Sequence, residues 1–203
     1  MSEIRQNPVD HPVPGPIQQR WSPVAFLPEP LDDATLNAVF EGARWAASCF
    51  NEQPWRFIIA RRDDPERFGP MLECLVEVNR NWARHASVVA IVCAMKSYAR
   101  NGSPNAHAWF DTGQATAQLA LSAVHQGLHC HAMGGFSAEL ARKSFGIGPS
   151  ADPICALAIG KLGDGTLLDE ATAGRDASPR VRHGLGDIVF EGSFGQAAGF
   201  ASS

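Results

Sequence analysis

The chain has 203 residues, 45% apolar, 19% charged and 8% aromatic, with a formal net charge of −4; this fits one globular domain with a substantial core and excludes disordered, collagenous and coiled-coil chains. The 17 basic residues are scattered, which argues against a phosphate-neutralising nucleic-acid surface. No apolar run approaches the ~18 residues of a membrane span and no secretory h-region opens the chain, so the expectation is a soluble, cytoplasmic protein.

From Met1 to Ile17 prolines and polar residues dominate, predicting an extended N-terminal arm ahead of a domain over 18–196 and a short tail over 197–203. Asp32 or Asp33 can cap a helix in which Leu36, Val39, Phe40, Ala43 and Ala46 recur at helical spacing, carrying the chain to about Ala47. Arg56 to Arg61 reads as a short strand. Pro65 opens a second helix with Phe68, Leu72, Leu75, Val76 and Asn79 near one side, and Ser87 to Met95 is a β-branched run expected to be a buried strand. Asp111 to Gln126 is apolar over most of its circumference, which predicts a buried helix. His129 to Met133 and Ile154 to Gly160 read as strands around a short helix begun by Ser137, and Ile188 to Phe190 as a weak last strand. Gly163 to Gly186 has no clear period and is expected to be a long surface loop.

The five cysteines are odd in number and never spaced C-x-x-C, which is reduced usage with cysteine acting as a small hydrophobe. His125, His129 and His131 are the sharpest metal-like cluster, but Gly127 interrupts any helix through them and no carboxylate or cysteine stands at zinc spacing. A Cys130–His nucleophile pair is weaker still, because neighbouring strand residues face opposite sides. There is no HExxH, GxSxG, Walker loop or GxGxxG.

Three segments carry the chemistry when taken together: Arg20-Trp21-Ser22-Pro23 after the arm, Ser48-Cys49-Phe50-Asn51-Glu52-Gln53-Pro54-Trp55 after the Arg44-Trp45 helix end, and Met133-Gly134-Gly135-Phe136. In order and spacing this resembles the FMN-dependent nitroreductase family, over roughly Ile17 to Gly195. The resemblance implies an α+β fold, a central mostly antiparallel sheet flanked by helices, and a homodimer with FMN at the subunit interface and the Asp111 to Gln126 helix between protomers. It implies NADH or NADPH as donor and a nitroaromatic, quinone or similar flat acceptor in a two-step reaction. No nucleic acid or membrane partner and no catalytic side chain is implied.

Residue by residue, Arg20 and Ser22 match one half of a phosphate clamp, and Arg180 with Arg182 the other, because a guanidinium fork makes paired charge-assisted bonds to phosphate. Trp21 stands between the first two. Ser48, Cys49 and Asn51 fall where the family reaches flavin from the neighbouring subunit, although Asn51 and Pro54 would equally end a helix; Gln53 is a further cofactor candidate, with packing as its alternative. Asn79 falls at the pyrimidine edge, where an amide can donate and accept. Met133, Gly134 and Gly135 fall beside flavin N5, where missing side chains let main-chain N–H groups approach; a tight turn would also use them. Val24 and Trp82 stand where many or some relatives carry a base, so Arg56 or Arg84 is expected to substitute in space, or a bound anionic ring is less favoured. Cys49 replaces a common serine and Ala47 a common proline. A flavin-binding or flavin-delivery protein with little turnover, or a flavin-transforming or dehydrogenating relative, is the alternative.

Overall fold

The computed structural model describes residues 6–201; the ends of the arm (1–5) and of the tail (202–203) lie outside the described residues. Four strands form one antiparallel sheet in the order β1-β2-β4-β3, with β1 Trp55–Arg61, β2 Val88–Met95, β3 His129–Met133 and β4 Ala151–Gly160. β2 is almost wholly buried because it is central and covered on both faces. Its side chains alternate. Val88, Ala90 and Val92 join Leu36, Val39, Ala43, Ala115, Leu119 and Ala123 in one core, while Val89, Ile91 and Cys93 join Phe68, Met71, Trp82 and Ala141 in the other.

Helix α2, Asp33–Arg44, is capped by the Asp32 carboxylate accepting from the Thr35 N–H at 2.7 Å. It packs on α5, Ala108–His125. Gly42 makes that approach possible, since a Cβ there would come within 2.5 Å of Ser122 Cβ. Ser122 Oγ then donates to the Ala38 carbonyl at 2.8 Å. On the other face lie α3 Pro65–Glu73, α4 Glu77–Ala83 and α6 Ala138–Phe145, the last capped by Ser137.

Four expectations need correction. The single helix expected after Pro65 is two, because Leu75 bridges to Phe136 and the Val76 N–H donates to the Gly135 carbonyl, which turns the chain between α3 and α4. The loop expected over 163–186 holds helix α7, Glu170–Ala177, whose Asp169 cap accepts from Thr172 but which buries none of its residues. No strand forms at Ile188 to Phe190; a 3-10 turn at Leu185–Asp187 precedes one isolated bridge, Phe190 to Ala197. The arm ends in a short helix α1, Gly15–Gln19, with Pro16 in its first turn.

Candidate functional site

The order of the sheet leaves β3 at an edge, and residues 20–24 run past it. The Trp21 ring meets the His129 ring edge-on at 6.0 Å, and the Pro23 carbonyl lies 2.8 Å from His131 Nδ1. Two residues apart on a strand, these histidines share one face about 6–7 Å apart and give the site a direction. At the His129 end stand Arg20 and Arg180; at the His131 end stand Trp82, whose ring centroid is 4.7 Å from the imidazole, and Val24.

These groups surround a cavity of about 570 Å³. It brings together six residues named from sequence: Arg20, Trp21, Ser22, Asn79, Arg180 and Arg182. Arg20 Nη1 donates to Ser22 Oγ at 3.3 Å, and the Arg180 guanidinium lies 5.1 Å from the Trp21 ring centroid. Burial, and then the neighbouring Arg182, lower the pKa of Arg20 from its ordinary value. A guanidinium keeps its proton regardless, so the charge waits on an anion. Arg175 and Asp176 of α7 also line the cavity, with Asp176 Oδ1 accepting from the Val24 N–H at 2.8 Å. The cationic rim thus has four arginines to one carboxylate.

The arm completes the rim. Asn7 Nδ2 donates to the carbonyls of Ile17 at 2.7 Å and Arg20 at 2.8 Å, and Arg180 Nη2 donates to the Gln6 carbonyl at 2.9 Å.

Asn79 reaches the cavity from α4, and its Nδ2 donates to the Gly135 carbonyl at 3.0 Å. Gly135 is required by packing rather than by its dihedrals: a Cβ there would lie 2.6 Å from Asn79 Nδ2 and 2.8 Å from Val76 Cγ2. Gly134 has nothing within 4 Å of such a Cβ, and Met133 is buried in the core. Met133, Gly134 and Gly135 are not among the lining residues of that cavity; Gly135 packs against Asn79, while Gly134 is exposed beside it.

Ser48, Cys49, Asn51 and Gln53 are not among the lining residues of that cavity. They form a turn between α2 and β1, with a 3-10 segment at Cys49–Asn51 in which Phe50, Asn51 and then Gln53 adopt φ of 55°, 56° and 53°. For a phenylalanine this is strained backbone. Ser48 Oγ accepts from the Gln53 N–H at 3.0 Å, and the buried Asp111 carboxylate accepts from the Cys49 N–H at 3.0 Å. Beside the turn, Trp45, Phe50, Trp109 and Phe110 are exposed, each by more than half.

Neither Arg56 nor Arg84 lines this cavity: Arg56 Nη1 donates to the carbonyls of Gln53 and Trp55, and Arg84 Nε faces His85. Beside Val24 and Trp82 the cavity has the imidazole of His131, a residue that sequence reasoning considered only as a metal ligand or as a partner of Cys130. A signal was present in the alternation of His129 and His131 on one strand face. Burial holds both imidazoles below the ordinary histidine pKa, His129 at about 4. Burial pushes the Cys130 thiol up to about 12, so it is no nucleophile at neutral pH. No group of three metal-ligating side chains occurs among the described residues, and no described helix is long and apolar enough to cross a membrane.

A family model described as Nitroreductase family matches residues 17–161. An uncharacterized 15.4 kDa protein of Mycolicibacterium smegmatis is 35% identical over 146 residues, 69% of this chain and 97% of that relative. A Streptomyces coelicolor protein with the provisional name NADH dehydrogenase/NAD(P)H nitroreductase is 41% identical over 69 residues, 34% of this chain and 33% of its own. A crystal structure described as an oxidoreductase containing FMN superposes with a TM-score of 0.87 at 34% identity, over 97% of this chain and 100% of that one.

Proposed function

The chain belongs to the nitroreductase family, and from that premise we propose that it is an FMN-dependent oxidoreductase taking electrons from NADH or NADPH and passing them to a nitroaromatic, quinone or similar flat acceptor. The observation that carries this reading is the single cavity with arginines at one end and an amide and an imidazole at the other. The donor set fits FMN. Arg20, Arg180 and Arg182 with Ser22 suit a phosphate, Trp21 and Trp82 offer flat apolar surface, and Asn79 and His131 suit a polar ring edge. When bound, FMN supplies the hydride and electron chemistry. The chain's part is to hold and orient it: cations anchor the tail, Val24 and Trp82 keep water from the inner wall, and no acid, base or nucleophile is asked of the protein.

In this reading the protein works as a homodimer. Exposed Trp45, Phe50, Trp109 and Phe110 form the kind of apolar patch that marks an interface. Ser48, Cys49, Asn51 and Gln53, on the strained turn beside that patch, reach the partner's cavity rather than their own. Strain of this kind is kept where a fixed geometry is used.

A freshly purified, yellow protein whose flavin absorption bleaches on anaerobic mixing with NADH or NADPH fits the proposal; a colourless protein that FMN does not stabilise against heat would refute it. The uncharged walls at Val24 and Trp82 favour a second reading, a flavin-binding or delivery protein with little turnover. Bound flavin that stays yellow with both nucleotides selects that one.

A further inference from the structure

Two consecutive residues of the arm, Gln6 and Asn7, bond to both halves of the arginine cluster. Asn7 is half-buried, while Gln6 and residues 8–12 are exposed. Its Nδ2 carries two hydrogens and spends one on the Ile17 carbonyl at 2.7 Å and the other on the Arg20 carbonyl at 2.8 Å, while its main-chain N–H donates to the Gln18 carbonyl at 2.6 Å. All three acceptors stand at the C-terminal end of α1, where a helix leaves carbonyls without intrahelical partners. Asn7 therefore caps α1, and Arg20, the residue at which that helix stops, leaves it in a fixed direction. One residue earlier, the Gln6 carbonyl accepts from Arg180 Nη2 at 2.9 Å. Arg20 and Arg180, far apart in sequence, thus share one short stretch of the arm.

The arm does not fill the space it crosses. A second cavity, of about 270 Å³, lies between Asn7, Pro8 and Val9 on one side and Arg20, Arg180 and Arg182 on the other. It shares those three arginines with the larger cavity and falls below the ~300 Å³ at which pockets for whole small molecules begin, so it suits the end of a ligand. Guanidinium groups gathered at one place repel each other and lose side-chain freedom when an anion orders them; binding must offset both costs unless the protein has already done so. Resting on the cofactor reading above, we infer that Asn7 is a positioning residue: by capping α1 and setting the Gln6 carbonyl against Arg180, it holds Arg20 and Arg180 in place for the phosphate before the flavin enters, and it roofs the phosphate afterwards. The effect is confined to the phosphate end, because no residue of 6–19 lines the larger cavity that would take the ring.

Fluorescence titration of the apoprotein with FMN and with riboflavin separates this role from a merely structural one. Asn7→Ala removes both Nδ2 bonds and should weaken FMN roughly tenfold, mostly through faster release, while changing riboflavin less than about twofold. Asn7→Gln keeps two donors on a longer stem and should recover part of the loss. Deletion of residues 1–7 should weaken FMN at least as much as Asn7→Ala. Because Asn7 acts through the two arginines, its effect should vanish without them: added to Arg20→Ala with Arg180→Ala, Asn7→Ala should change FMN affinity less than about twofold. An unchanged FMN affinity in Asn7→Ala, an equal loss for riboflavin, or a further tenfold loss in the background lacking both arginines overturns the positioning role and leaves the cofactor reading standing. If the wild type binds no FMN, the cofactor reading falls, and this inference with it.

Discussion

Arg20 is half-buried beside Arg182, and its guanidinium is bonded to Ser22 Oγ and to no carboxylate among the described residues, so its charge is poorly compensated until an anion arrives. If that anion is the phosphate of FMN, Arg20→Ala should weaken FMN roughly ten- to hundredfold and change riboflavin binding little, since charge-assisted bonds to the phosphate are what is lost. Equal losses for both ligands, measured by flavin fluorescence, would assign Arg20 elsewhere. The adjacent glycines should separate stability from binding. Gly135→Ala drives a methyl into Val76 and Asn79 and should cost about 1–3 kcal/mol in urea unfolding. Gly134→Ala meets nothing within 4 Å and should leave the urea midpoint alone, weakening FMN only if its amide approaches the ring. His129 gives the pH dependence of the fold. Both its ring nitrogens are buried without a partner among the described residues, and its pKa of about 4 lies below the unfolded value near ~6.5. The unfolded chain therefore binds the proton first as pH falls. Stability contributed by neutral His129 is complete above pH ~6.5 and is lost as pH drops towards 4, by about 1–3 kcal/mol. His129→Leu should show a smaller loss between pH 7.5 and 5; an unchanged slope would mean that other groups set it.

At the scale of elements, the sequence was most legible where period and cap agree. Leu36, Val39 and Ala43 with Asp32 located α2, Ser137 located the start of α6, and the β-branched run located β2. It was least legible where tertiary contacts overrule local pattern. The apolar spacing of Phe68, Leu72, Leu75 and Val76 continues through a break that exists only because Leu75 and Val76 are drawn to Phe136 and Gly135, some sixty residues away. Helix α7 has no apolar stripe to find, because it covers the cavity with Arg175 and Asp176 rather than a core. The turn after α2 was visible as a motif but not as strain. Its left-handed Phe50, Asn51 and Gln53 are held by Ser48 Oγ and by Asp111, a residue of another helix. Asn51→Gly should therefore relieve strain and leave the melting temperature equal or slightly raised, by up to about 1 kcal/mol of stability, while weakening FMN binding. A variant both more stable and as tight as the wild type would assign Asn51 a purely structural role.

For the whole molecule, the candidate site divides into two parts that one chain does not join. The cavity gathers the arginines, Asn79 and His131; Ser48, Cys49, Asn51 and Gln53 lie on a turn whose surroundings are exposed aromatics. Sequence named both parts because each motif is local, but motif spacing carries no information on which copy of the chain supplies which part. The proposed two-fold dimer through the Trp109 and Phe110 patch would reconcile them, since an isologous interface repeats every cross-subunit contact and so completes two sites. Phe110 is 70% exposed, so Phe110→Asp should leave the monomer's fold intact, desolvate a charge at the interface, and yield a monomer by size exclusion that binds FMN far more weakly. Complementation is the sharper measurement. Asn51→Ala and Arg180→Ala damage different parts of a shared site, so in a heterodimer one cavity receives both lesions and the other neither. Mixing the two variants under conditions of subunit exchange should restore up to one intact flavin site per heterodimer, read as tight FMN binding that neither variant shows alone. Exchange without recovery would mean that Asn51 serves the cavity of its own chain or none, and the shared site would have to be abandoned.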